Sequence, residues 1–142
     1  MYVERTFTVA RPVGEVFTYL ADFTTTHEWD PGTIETKRLT GDGGLGTTYS
    51  NISKFMGRRV ELVYETVAFD RPHEVKFRGV NGGTTATDWF RFSPENDSTQ
   101  VHYRADFDFS PLLKLVAPLF IKGRLNRLAD ETIAQMQRAI NT

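Results

Sequence analysis

The chain has 142 residues, with 17 Lys and Arg against 18 Asp and Glu, a net charge of -1 and a pI near 6.3. That length suits one domain, 1–142, whose core needs neither metal nor disulfide, and the balanced charge argues against nucleic acid as a partner. With no cysteine, disulfides, thiolate zinc sites and a thiol nucleophile are excluded.

The opening stretch, MYVERTFTVARP, carries Glu4, Arg5 and Arg11 and is too polar for a signal peptide. The longest apolar run, residues 112–121, contains Lys114 and Pro118 and is about half the ~20 residues of a membrane span. The expectation is a cytoplasmic protein with no membrane span.

In chain order, residues 2–9 alternate with Val3, Phe7 and Val9 on one side, as a strand does. Pro12 suits a first helical turn, and Val13, Val16, Phe17 and Leu20 follow at helical spacing. Asp22 is placed to cap a second short helix ending near Glu28, and Asp30-Pro31-Gly32 closes it with a turn. From residue 33 to 109 the period changes to that of short strands: TIETKRL, TTYSNISKF, RRVELVYETVAF, HEVKFRGV, TTATDWFRF and TQVHYRADFDF. Gly, Pro, Asn and Asp stand at every break, and strands this close in sequence pair as an antiparallel meander. The last has the clearest faces, with Val101, Tyr103, Ala105, Phe107 and Phe109 opposite Gln100, His102, Arg104, Asp106 and Asp108.

Ser110-Pro111 opens a final helical region. At about 100° per residue, Leu112, Leu113, Val116, Leu119, Phe120 and Gly123 form one stripe, while Leu125, Ala129, Ile133, Met136 and Ile140 form another. One straight helix cannot aim both stripes at one surface. Pro118 and Gly123 therefore predict a divided element, a first section near 111–122 and a long amphipathic helix reaching about residue 141. The order is strand, two short helices, six strands, long helix. The only element long enough to cover the apolar sheet face is that last helix.

This order, with RPVGEVFTYLAD, HEWDPGTIETKRL, GLGTTY, TVAFDRPHEVKFR, WFRFSPENDSTQVHYR and the helix bearing Pro118, resembles the START-like helix-grip superfamily, and within it the polyketide cyclase/dehydrase and lipid-transport family. The resemblance implies an α+β fold: a seven-stranded curved antiparallel sheet gripping a long C-terminal helix, with two short helices after strand 1. It also implies a cavity between sheet and helix for a lipid- or polyketide-like molecule. A bent sheet and a single rod cannot interdigitate at native density everywhere, so aromatics or a ligand must fill the remainder. The expected lining is Trp29 at the rim with Tyr49, Tyr64, Phe77, Phe90, Tyr103, Phe107, Leu113, Val116 and Phe120, with core packing alone the preferred alternative for Trp29, and the section around Pro118 is expected to act as a lid.

The leading expectation is binding of a small hydrophobic or amphipathic molecule. A second is a cyclase or dehydratase in which Tyr103 or Asp88 moves protons. A third is an interaction module of the co-chaperone-activator kind, with a filled interior and an exposed apolar patch. Asp88 shares a face with Ala86, Phe90 and Phe92, and a carboxylate on an inner face would titrate high. The reading preferred here is a register slip that turns Trp89 inward and Asp88 to water. Arg78 and Arg127 could reach a ligand carboxylate, although Arg127 sits in a basic run with Lys122 and Arg124 that reads as a solvated face.

Other motifs carry less. Gly41-Asp42-Gly43-Gly44-Leu45-Gly46 matches a dinucleotide glycine pattern, but strand-like TTYSNIS follows where a helix is required, so it reads as a hairpin loop at the pocket rim. His27, His73 and His102 lack partners at metal-site spacing, and no Ser-His-acid set can be assembled. Neither a metal nor a cofactor is implied.

Overall fold

The computed structural model describes residues 1–55, 57–109 and 118–142, with side chains for all of these except 118–120. Strand β1 (Tyr2–Val9) leads into helix α1 (Val13–Ala21), a 3-10 turn (Phe23–Thr25) and helix α2 (Thr26–Trp29). Six strands follow: β2 (Thr33–Thr40), β3 (Thr48–Phe55), β4 (Arg58–Asp70), β5 (Glu74–Asn81), β6 (Thr84–Glu95) and β7 (Ser98–Asp108). Helix α3 (Pro118–Asn141) closes the chain.

All seven strands join one antiparallel sheet in the order β1-β7-β6-β5-β4-β3-β2. The meander accounts for β2 to β7 in sequence, and β1 pairs with β7 from Tyr2↔Asp106 to Val9↔Thr99. Register shifts in β2, between Thr33 and Glu35 and between Arg38 and Thr40, and in β4, between Thr66 and Ala68, bend the strands and add to their twist. The curved sheet thus acquires a concave face, on which side chains recur every second residue.

At one end of this face the short helices supply a plug. Helix α1 buries Val16, Phe17, Leu20 and Ala21, spaced as one helical face requires. Phe17 meets Phe69 and Phe92 edge-on at 5.3 and 5.4 Å between centroids, the arrangement aromatic quadrupoles favour. Asp22 Oδ1 accepts from the Thr24 backbone N–H at 3.0 Å, which starts the 3-10 turn at the expected cap.

Helix α3 buries Ile121, Leu125, Ala129, Thr132, Met136 and Ile140 along one stripe. Arg5 Nε donates to Asp130 Oδ1 at 2.9 Å, and the Ala10 N–H donates to Asn141 Oδ1 at 2.8 Å, tying the helix to β1 and to the segment after it. The expected break near residue 122 is not there. The described helix spans Pro118–Asn141 and continues through the exposed Gly123. One glycine costs about 1 kcal/mol, which tertiary burial offsets. Residues 111–117, the rest of the expected first section, lie outside the described residues.

Candidate functional site: a cavity with a carboxyl-phenol end

The register orders the concave face into rows. One row runs Ala105, Asp88, Phe77, Thr66, and the next runs Phe107, Ala86, Gly79, Tyr64, Tyr49. Towards α1 and α2 the rows are large: Phe90 stacks on Tyr103 at 4.8 Å, and Trp29 stands edge-on to Phe90 at 5.7 Å. Away from them the rows contain Ala86, Ala105 and Gly79, and the facing helix position is Ala129. Small side chains on both layers cannot close the gap between sheet and helix.

The result is a cavity of about 560 Å³, within the range of small-molecule sites. Its walls among the described residues include Val3 on β1, Ala105 and Phe107 on β7 with Phe109 just after it, Ala86 on β6, Val60, Leu62 and Tyr64 on β4, and Leu125, Leu128 and Ala129 on α3. Most of this surface is apolar. Gly79 has a definite role here, because a Cβ at this position would lie 2.6 Å from the Tyr64 ring. The missing side chain lets the phenol lie across β5.

Asn51, Ser53, Lys54, Arg58, Thr84 and Thr132 also border the cavity, and the two acids that face it lie at the plugged end. Tyr103 Oη donates to Asp88 Oδ1. Asp88 keeps partial exposure, and what it faces is the cavity. Burial pushes its carboxyl up to about 7, against the Tyr103 hydrogen bond, which pulls it down; the charge on Asp30 adds to the rise. Asp30 also lines the cavity, with Oδ1 accepting from the Gly32 N–H and Oδ2 from the Thr33 hydroxyl, both at 2.9 Å. Its carboxyl is likewise raised by burial, more than those two bonds lower it. Burial, then the nearby carboxylates, lift the Tyr64 and Tyr103 phenols well above their ordinary value. Tyr103 is spoken for by Asp88. The Tyr64 hydroxyl makes no hydrogen bond among the described residues, although Tyr64 is only 7% exposed.

The preferred reading of β6 is corrected by this arrangement. β6 pairs with β5 and β7 without a register shift, so alternation carries through and Asp88 points inward. Trp89 lies on the convex face with Lys76 Nζ and the Arg91 guanidinium 4.7 and 4.5 Å from its ring centroid. Two cations this close to the indole give it a reason to stay outside.

Of the expected lining, Tyr64, Tyr103 and Phe107 border the cavity. Trp29, Tyr49, Phe77 and Phe90 are almost wholly buried, at 1%, 1%, 0% and 0% exposure, and build the plug. Trp29 is not at a mouth: it packs against Phe23, Phe90 and Tyr103 and donates through Nε1 to the Thr25 hydroxyl at 3.1 Å. Leu113 and Val116, the Phe120 side chain and most of the expected lid fall outside the described residues. Arg78 and Arg127 are exposed and do not border the cavity.

The sequence reading missed Asp30, taken only as a turn residue, and the alanines 86, 105 and 129. The available signal was small residues at inward positions of adjacent strands. The glycine loop is not at the rim of this cavity. Its Gly43 and Gly44 line a separate surface groove of about 690 Å³ beside Thr18, Asp22, Arg38 and Arg71. We place the site in the smaller hollow because its walls are apolar and carry the perturbed acids. Among the described residues no helix is long and apolar enough to cross a membrane, and no His, Asp or Glu side chains cluster as metal ligands.

A concave antiparallel sheet closed by one long helix over an apolar hollow is the helix-grip architecture of START-like proteins. The chain belongs to the polyketide cyclase / dehydrase and lipid transport family, whose model matches residues 2–141. No curated protein matches it in sequence. Among solved structures, a Thermus thermophilus protein superposes with a TM-score of 0.83 at 13% identity, covering 99% of this chain and 97% of that one. A START superfamily protein from Mycobacterium smegmatis gives 0.82 at 14%, covering 98% and 96%. The Zhui aromatase/cyclase from Streptomyces sp. R1128 gives 0.77 at 18%, covering 99% and 93%. At these identities the likeness is one of fold. Family and fold fit ligand binding in the cavity between sheet and helix.

Proposed function

We propose that the chain binds a small amphipathic molecule between the sheet and α3, its apolar body against Leu62, Leu125 and Phe107 and its polar end towards Asp88 and Tyr64. The observation that carries this is the cavity of about 560 Å³ with mostly apolar walls and two carboxyls, Asp88 and Asp30, facing it at the plugged end. Burying ~300 Å² of apolar ligand surface supplies roughly 7 kcal/mol before ordering costs, enough for micromolar affinity. An unfilled interior of this size also speaks against the interaction-module reading, which required a filled one. Native mass spectrometry of protein purified from its own host is expected to reveal a retained molecule of a few hundred daltons, which also displaces an apolar dye from the purified protein. A protein that holds no molecule and takes up no dye would end this reading.

A second reading is favoured by the Asp88 carboxyl, which titrates near 7 where a general base works best. An ionised Asp88 could take the proton from a carbon flanked by two carbonyls, as in polyketide-like chains, while Tyr64 donates to the enolate oxygen. Incubation with a simple 1,3-diketone in deuterium oxide tests it. Exchange at that carbon is expected to accelerate with the native chain and to fall to the uncatalysed rate in Asp88→Asn.

A further inference from the structure

We infer that the plugged end of the cavity receives a cationic hydrogen-bond donor, a protonated amine on an apolar body, and rejects a carboxylate. This inference rests on the ligand-binding reading above and specifies the chemistry of that same site.

The argument is one of charge and of donors against acceptors. Asp88 and Asp30 both face the hollow, and their four carboxylate oxygens receive Tyr103, Gly32 and Thr33 but no cation among the described residues. Buried carboxylates are normally paired with a cation or protonated. Among the described residues, the titratable groups that face Asp88 are Tyr103 from β7, Tyr64 from β4 and Asp30 from the turn before β2. Helix α3 contributes Leu125, Leu128, Ala129 and Thr132 to the wall, none of them ionisable. Arg58 borders the cavity at the start of β4, eight residues along the strand from the Asp88 row at Thr66 and therefore roughly 25 Å of strand away. Lys54 also borders the cavity, its backbone N–H donating to the Gly32 carbonyl at 2.8 Å, but the residue is exposed and forms no ion pair with Asp30 or Asp88.

Independent of the acids, Tyr64 is 7% exposed and borders the same space, and its hydroxyl has no partner among the described residues. The oxygen is not sealed in protein, which leaves it free to bond a ligand in the cavity. An ammonium supplies three donors, which suit the free Asp88 oxygen, the second lone pairs of Asp30 and the Tyr64 oxygen together. A ligand carboxylate would instead be a third acid beside two, raising the cost of ionising each of them. An alcohol falls between the two, able to donate once and carrying no charge.

Since the Asp88 carboxyl titrates near 7, amine affinity should follow its ionisation. Below that pH the acid is neutral and the charge attraction is lost. Above it the acid is anionic, while an alkylamine is still protonated to about pH 10.

The test uses decylamine, decanol and decanoate below their micellar concentrations, titrated calorimetrically into the full chain. At pH 8 the amine is expected to bind roughly tenfold more tightly than the alcohol, and decanoate roughly tenfold more weakly than the alcohol. From pH 8 to pH 6 the amine is expected to lose roughly tenfold in affinity, with little change for the alcohol. Asp88→Asn should bring the amine-to-alcohol ratio to about 1, and Tyr64→Phe should reduce the ratio several-fold even if the Asp88 variant folds poorly. Decanoate binding as tightly as decylamine, or an amine preference that survives Asp88→Asn, overturns the inference. Alcohol binding without any amine preference overturns it while leaving the cavity reading intact, and failure of all three probes removes both.

Discussion

The two ends of the concave face are built by the same strands yet reach opposite states. At the α1–α2 end, Trp29, Phe77, Phe90 and Tyr103 interlock so fully that the first three are at most 1% exposed. One row further along β6 and β5 the inward positions are Ala86 and Gly79, α3 offers Ala129, and the interior is empty space of about 560 Å³. Hollowness here is decided by side-chain volume and not by backbone curvature alone, since the curved sheet runs through both ends.

That contrast can be broken from the solid side. Phe90→Ala is expected to cost about 3–5 kcal/mol, because the rings around it are held by α1 and α2 and cannot collapse inward; urea denaturation measures it. A loss under 1 kcal/mol would mean the plug is as tolerant as the hollow.

The carboxyl at the junction gives the next largest effect. Asp88 is raised from its ordinary value to about 7, so the folded state holds its proton more tightly than the unfolded one. The stabilising contribution is complete below about pH 4 and disappears as pH rises through 7. The shift of about three units corresponds to at most ~4 kcal/mol, and partial exposure of Asp88 to the cavity reduces it to about 2 kcal/mol. Asp88→Asn is expected to flatten this part of the pH dependence and to raise Tm at pH 8 by roughly 5 °C, while an unaltered pH profile would place the carboxyl in water.

Gly79→Ala is expected to cost about 1–3 kcal/mol, since the new methyl meets the Tyr64 ring and must push it into the hollow. Smallest in stability is Ala129→Leu, which adds volume where there is room: a change within about 1 kcal/mol, together with loss of apolar dye uptake. Dye binding that persists in this variant would put the ligand elsewhere.

The architecture was legible because its signals are local. Period-two alternation in β7, turn chemistry at each hairpin and the Asp22 cap all act within a few residues. The break expected near residue 122 is absent because the stripe from Ile121 to Ile140 is buried, which outweighs the low helix propensity of Gly123. The site was half legible for a related reason. Large aromatics were expected to line the space, but large side chains consume space, and a cavity is bordered where residues are small. Asp88 was turned outward on the suspicion of a slip, and the unbroken pairing on both flanks of β6 is a tertiary fact that no window of sequence contains. Asp30 gave no signal at all, as its turn residues would look the same on an open surface.

The chain carries two tryptophans, and the sheet separates them. Trp29 leans on Tyr103, one hydrogen bond from the acid at the cavity's end, while Trp89 contacts two cations on the convex side. Intrinsic fluorescence therefore comes with its own reference channel. Emission from the inner indole should shift with occupancy and with proton uptake, and the outer one should hold steady until the whole molecule melts.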